Sequence, residues 1–379
     1  MLTLIKNAHV FAPQALGKQD ILISHGRIAA LAPELNFTLP QLEVIDVEGM
    51  NVTPGLIDQH IHIIGAGGKD GFLSMTPEIQ ASELVACGTT TAVGLLGTDG
   101  TAKNIRALYA KVQSLRQEGL SAYMYSGYYG IDTLTITESI QSDMVFVEPV
   151  LGFKIAISDI RSSYPTSLEL VRKLREVRVG GLLSNKKGIM HVHLGNLPSQ
   201  MDVLFDLVKT YQFPIEHISP THVGRTSSLF EQALEFAQLG GSIDITTGAS
   251  KYIDPHQSVL YALEKGVAID RLTFSSDGHA GLTPKTATHE NHFAKAPIDQ
   301  NLFEVIQLIK TQMVSPEQAF QLITSNPADN LGLKNKGRIA LGLDADLCVF
   351  DSEWKLQNVW ANGNLVMKEG QPLLPPIFS

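Results

Sequence analysis

The chain has 379 residues, enough for one large domain or for a large and a small one, and 44% hydrophobic against 18% charged residues allow a sizeable core. A net charge of −9 argues against nucleic acid or an anionic membrane surface as the main partner. Two distant cysteines, Cys87 and Cys348, imply no disulfide framework and suit a reducing cytoplasm, and no apolar run is long enough to span a bilayer.

In chain order, the opening MLTLIKNAHVFAP has neither the basic segment nor the apolar core of a secretory leader. The first ~50 residues read as β-structure, LTLIKNAHVFA and DILISHGRIAALA running or alternating apolar around a turn at Ser24-His25-Gly26-Arg27. Eight strand-like runs follow at 56–62, 89–97, 121–127, 150–157, 188–194, 215–222, 241–247 and 271–277. They are short and rich in Val, Ile and Leu, as buried parallel strands are. Helical patterns at 77–87, 101–118, 166–178, 198–211, 227–239 and 255–265 lie between them. Further helices are predicted at 299–313 and 316–324, with Pro316 opening the second. GRIALGLDADLCVFD and WKLQNVWANGNLVMKEG return to the β pattern, with Asn362-Gly363 as a tight turn. This order predicts an α/β chain: a (β/α)₈ TIM barrel over 53–334, and a small β-sandwich domain built from both chain ends, 1–52 and 335–379.

Residue types that bind metals stand at the ends of these strands, where a barrel of this kind carries its catalytic groups. His60 and His62, in LIDQHIH, are two apart on a strand and face the same way. Lys154 interrupts the apolar run VLGFKIAI, where a lone lysine either finds a partner or loses its proton. A neutral amine there takes up CO₂ as a carbamate, an anionic ligand able to bridge two metals. His193 and His222 end the fifth and sixth runs. His191 shares the face of His193 but lies deeper, and reads as a supporting or core residue. Asp277, after Ser275-Ser276, suits both a metal and the proton of an attacking water. Arg161 and Arg225 at other strand ends suit substrate carboxylates, and Tyr128 or Tyr129 an oxyanion. His256, His279, His289 and His292 fall in loops and are expected to face solvent, or from His279 onward to form a histidine-rich lid.

PGLIDQHIHIIG, GLLGTDG, GFKIAISDIRS, HVHLG, PTHVGR, LFEQALEFA, GGSIDITTG and SSDG together resemble the amidohydrolase superfamily, and within it the bacterial isoaspartyl dipeptidases, over nearly the whole chain. The resemblance implies hydrolysis of the β-aspartyl amide bond of dipeptides by attack of a metal-bridging hydroxide. It implies a site of two Zn²⁺ per subunit, other divalent metals being possible, held by His60, His62, a CO₂-derived carbamate on Lys154, His193, His222 and Asp277. Asp277 is then also the general base and acid, and Tyr129 polarises the scissile carbonyl. Gly67 and Thr98 hold the substrate backbone, and Arg161 and Arg225 its carboxylates. A small dipeptide-like substrate and a homo-oligomer in the cytoplasm are expected, with no nucleic-acid or membrane partner.

The chain departs from this pattern twice. Where the family has a glutamate for the substrate's α-ammonium, Lys69 stands, with Asp70 next. Where it has a serine four residues past the aspartate, Gly281 stands. These departures keep open an N-acylated or otherwise acidic amino-acid amide as substrate. An inactive ligand-binding barrel is the remaining alternative, disfavoured by six intact ligand candidates.

Overall fold

A computed structural model describes residues 2–249, 251–282 and 293–374. Strands β1 (Leu2–Phe11), β2 (Ala15–Ser24) and β3 (Arg27–Ala32) form an antiparallel meander. His25 and Gly26 take positive φ at its second turn, as a two-residue hairpin loop requires. Strands β4 (Leu42–Asp46) and β5 (Asn51–Pro54) run parallel to β1.

The barrel strands are β6 (Leu56–Ile61), β7 (Thr89–Gly94), β8 (Ser121–Gly127), β9 (Val150–Ile157), β10 (Ile189–Leu194), β11 (Ile218–Thr221), β12 (Ile243–Thr246) and β13 (Leu272–Ser275), hydrogen-bonded in sequence order. The last nearly rejoins the first: the Asp277 N–H donates to His60 O, and Ile61 bridges to Gly278. Between β9 and β10 the backbones meet closely at Gly152, where a Cβ would lie 1.8 Å from Ile189 O. Glycine is therefore required two residues before Lys154.

Helices α1 (Ala81–Ala86), α2 (Ile105–Gln117), α3 (Ile140–Phe146), α4 (Ser167–Ser184), α5 (Asp202–Lys209), α6 (Ser227–Gln238) and α7 (Pro255–Glu264) separate the strands. In α2 the buried face is Ile105, Leu108, Val112 and Leu115, three or four residues apart, and Asn104 caps its start. In α4 a reciprocal Thr166–Glu169 capping box fixes the start. The apolar pattern does not announce α3, because only Ile140 and Met144 supply its apolar contact; Ser139 caps it.

A two-residue pairing joins β14 (Gly281–Leu282) to β15 (Ala294–Lys295). Helices α8 (Gln300–Lys310) and α9 (Pro316–Gln321) follow, Pro316 opening α9 as expected. The predicted helix over 316–324 ends early, and a further helix, α10 (Ser325–Leu331), turns into the N-terminal mouth of the barrel. There Ala328 and Leu331 pack on Ile57, Val93, Tyr125, Leu151 and Ile189.

Strands β16 (Leu347–Phe350), β17 (Leu356–Ala361), β18 (Asn364–Lys368) and β19 (Gln371–Pro372) complete the chain. Because β16 pairs antiparallel with β5, both chain ends form one nine-stranded sheet among the described residues. Ile5, Val10, Ile21, Val52, Leu347, Val349 and Trp360 give it its own core. Each fully buried aliphatic side chain there contributes about 1.5–3 kcal/mol.

Candidate active site

Residues that follow seven of the eight barrel strands, all but β10, line one cavity of about 390 Å³ at the C-terminal mouth. Its lining includes His62, Gly67, Lys69, Thr98, Asp99, Tyr129, Arg161, Arg225, Asp277 and Gly281. At its floor His60 Nε2 and His62 Nε2 each lie 3.2 Å from Asp277 Oδ1. One ligand atom from each of His60, His222 and Asp277 falls within 4.8 Å of the others, and all three residues are buried. His222 and Asp277 both adopt left-handed backbone, with φ of 64° and 52°. Such a conformation is costly for a residue with a side chain and is retained where the surrounding structure demands it.

These residues fit a divalent metal. Burial pushes the His60 imidazole down to about 3, and those of His193 and His222 well below the usual range, so the rings are neutral at neutral pH and each keeps one unprotonated nitrogen. Burial alone would raise the Asp277 carboxyl, but His222, His60 and His62 around it hold it ionised. Donors about 2.0–2.1 Å from a tetrahedral metal stand about 3.3 Å apart, close to the separations around Asp277 Oδ1. His62 Nδ1 is buried with no hydrogen-bond partner among the described residues, and a Cβ at Gly97 would lie 2.9 Å from His62 Cε1, so the glycine makes room for that ring.

Lys154 is 1% exposed, and its Nζ is 3.4 Å from His60 Nδ1. Burial lowers its pKa to about 7, which leaves much of the amine neutral at physiological pH. His193 lies beside His222, ring centroids 4.6 Å apart, but both its nitrogens are engaged. Nε2 meets Asp159 Oδ2 at 2.9 Å and Nδ1 meets the Tyr129 hydroxyl at 2.7 Å. A carboxylate only accepts, so the proton sits on Nε2, and the Nδ1 lone pair accepts from the Tyr129 O–H. Tyr129 is buried, which raises its pKa and keeps it a donor.

Asp159 and Asp99 are functional neighbours that strand-end reasoning overlooks. Asp159 also accepts from Arg161 Nε and Nη2, at 2.8 and 2.6 Å, so it aligns Arg161 and His193 together. Arg161 is thus half committed; its Nη1 reaches Thr98 Oγ1 at 3.4 Å. Arg225 is freer, its Nε buried without a partner among the described residues. The only sequence signal for Asp159 is its place two residues before Arg161 in SDIR. Asp99 uses Oδ1 to accept from Thr101 N and Ala102 N, and its side chain lies where a Cβ at Gly67 would sit.

The structure separates Lys69 from Asp70. Both are exposed, but Lys69 lines the cavity and donates from Nζ to Gly281 O at 2.5 Å, whereas Asp70 is not among the lining residues. Two of the loop histidines differ from expectation. His279 is 1% exposed, with Nδ1 on Pro77 O and Nε2 on Lys295. His256 lies not in a loop but in the first turn of α7, part-buried against Glu304. Specific acceptors hold both in place, which their position in sequence does not reveal. His289 and His292 lie outside the described residues.

Residues 51–373 match the Amidohydrolase family. A β-aspartyl dipeptidase from Fervidobacterium islandicum, solved in complex with β-Asp-Leu, is 37% identical with a TM-score of 0.91, covering 98% of each chain. A dihydroorotase from Lactobacillus gasseri is 23% identical over 94% of this chain and 90% of its own. Dihydropyrimidinase from Brevibacillus agri shares the fold at 16% identity and a TM-score of 0.69, covering 98% of this chain and 96% of that one. Among the described residues no helix is long and apolar enough to cross a membrane.

Proposed function

The chain belongs to the amidohydrolase family, and from that premise we propose that it hydrolyses the β-aspartyl amide bond of small dipeptides. The observation that carries this reading is the 37% identity, over 98% of both chains, to a β-aspartyl dipeptidase. The cationic wall of the cavity supports it, since Arg161 and Arg225 suit the two carboxylates of a β-aspartyl dipeptide.

In this reading two zinc ions per subunit are held by His60, His62, His193, His222, Asp277 and a carbamate on Lys154. The metals, once bound, supply a Lewis acid for the carbonyl and lower the pKa of water. The protein groups do the rest. The Tyr129 hydroxyl turns from His193 Nδ1 to the scissile carbonyl oxygen and donates to it as negative charge develops. The Asp277 carboxylate takes one proton from the attacking water and returns it to the leaving amine as the C–N bond breaks. Gly67 and Thr98 border the substrate backbone, and the absence of a Cβ at Gly67 keeps that wall open beside Asp99. The two cysteines are buried and unpaired, which suits a cytoplasmic enzyme. Hydrolysis of β-Asp-Leu by the zinc-loaded chain, followed by release of leucine, tests the proposal. No release above the metal-free control would refute it.

A second reading is favoured by Lys69, which faces the cavity where an acidic group would receive an α-ammonium. Its substrate is an N-acylated or otherwise acidic amino-acid amide. Two ammonium groups facing each other in a partly dry cavity cost on the order of 1–3 kcal/mol. Lys69→Glu is therefore expected to raise kcat/KM for free-amine β-aspartyl dipeptides about tenfold or more, and to lower it for the N-acetylated counterparts. Steady-state kinetics on the two substrates decide. An unchanged ratio would show that Lys69 does not set specificity.

A further inference from the structure

His191 lies deeper in the barrel than His193 and does not line the cavity. Its ring stacks on Tyr125, centroids 4.9 Å apart and planes 6° off parallel, so its orientation is fixed. Its Nε2 is 2.9 Å from His60 Nδ1, and its Nδ1 is 3.3 Å from Ser219 Oγ. Asn330, on the helix that plugs the N-terminal mouth, donates from Nδ2 to Ser219 Oγ at 2.9 Å and to Gln59 Oε1 at 2.9 Å. His191, Ser219 and Asn330 are all buried. A continuous hydrogen-bonded line thus runs from the bottom plug to a histidine on the cavity floor.

We propose that His191 is a positioning residue: it accepts the Nδ1–H of His60, and so presents the His60 Nε2 lone pair to a divalent metal, while Ser219 and Asn330 hold His191 in the matching tautomer. The metal end sets the order. A neutral imidazole carries one proton, so a His60 that offers its Nε2 lone pair beside Asp277 carries its hydrogen on Nδ1. His191 Nε2 then accepts that Nδ1–H, and the Nδ1–H of His191 donates to Ser219 Oγ. An amide nitrogen only donates, so Asn330 fills the other lone pair of that oxygen. A histidine ligand usually gives its second N–H to a carboxylate, carbonyl or water; here another histidine takes that place.

The inference rests on His60 being a metal ligand, and the test separates the two. Zinc affinity is measured by chelator competition on the purified full chain, with circular dichroism as the check on folding. His191→Phe, which keeps the stack on Tyr125 but cannot accept, is expected to bind zinc about 10–100-fold more weakly. His191→Gln, whose amide oxygen reaches the place of Nε2, is expected to restore most of that loss. Ser219→Ala is expected to weaken binding by a smaller factor, because the tautomer is no longer fixed. A folded His191→Phe with wild-type zinc affinity would overturn the proposal, as would a His191→Gln no better than phenylalanine. If His191→Phe does not fold, wild-type affinity in Ser219→Ala overturns it instead. Zinc affinity unchanged in His60→Ala would place the failure in the metal-site reading itself.

Discussion

Lys154→Ala is expected to lose most of the bound metal and most of the activity, with partial return of both when acetate or propionate is added. The side chain is 1% exposed in the middle of β9, so its loss leaves a buried space. In its protonated form it would place a cation beside neutral imidazoles and repel a metal. As a carbamate it contributes two anionic oxygens. The step is balanced: the neutral amine bonds to the carbon of CO₂, and the nitrogen gives up one proton. Losing even an outer partner of a metal ligand costs about 10–100-fold in affinity, and losing a bridging ligand costs more. A short carboxylic acid fits the space left by alanine and brings the same two oxygens. The pKa of about 7 adds a pH signature. Above it the amine is neutral and takes up CO₂; below it the amine is protonated and does not. Reactivation of metal-stripped protein by bicarbonate and zinc should therefore slow as pH falls through about 7. Elemental analysis and mass spectrometry check both points. One metal or fewer per chain in fully active protein would defeat the two-metal reading.

Asp277→Asn should keep most of its metal, because in the proposed site the imidazoles and the Lys154 carbamate remain, yet kcat should fall by about 10²–10⁴-fold, the usual share of a general acid–base group. KM should move little, since the arginines that line the cavity are untouched. The substitution suits the backbone: Asp277 has φ of 52°, and asparagine tolerates the left-handed region as well as aspartate does. A loss of activity is therefore not a loss of fold, and the thermal midpoint should confirm that. A near-normal kcat would show that another group moves the proton.

Much of this architecture is legible in the residues. Runs such as VLGFKIAI and IMHVHL are apolar enough to read as buried strands, and the metal-binding types interrupting them stand out for that reason. Later strands are shorter than their apolar runs; residues 215–217 form a 3₁₀ turn before β11 because Pro214 bends the entry. Other features are not legible, and for one physical reason: they join residues far apart in sequence. His60 and His191 are 131 residues apart, and Asn330 is 271 from Gln59. Nothing local in LLGTDG tells that the Asp99 side chain packs over Gly67. The same holds for Lys69, whose choice between solvent and cavity depends on the Gly281 carbonyl more than 200 positions away.

The sheet shared by both chain ends has a consequence for how the protein is made. Strand β5 ends at Pro54 and its partner β16 begins at Leu347, so roughly 300 residues must be translated between them. At about 5–20 residues per second, the ribosome leaves the β5 edge without that partner for about 15–60 s. During this interval an apolar strand edge is open to other chains. Protection during synthesis therefore matters most for the first 54 residues, and slowed elongation within the barrel-coding region should raise the aggregated fraction of newly made chains.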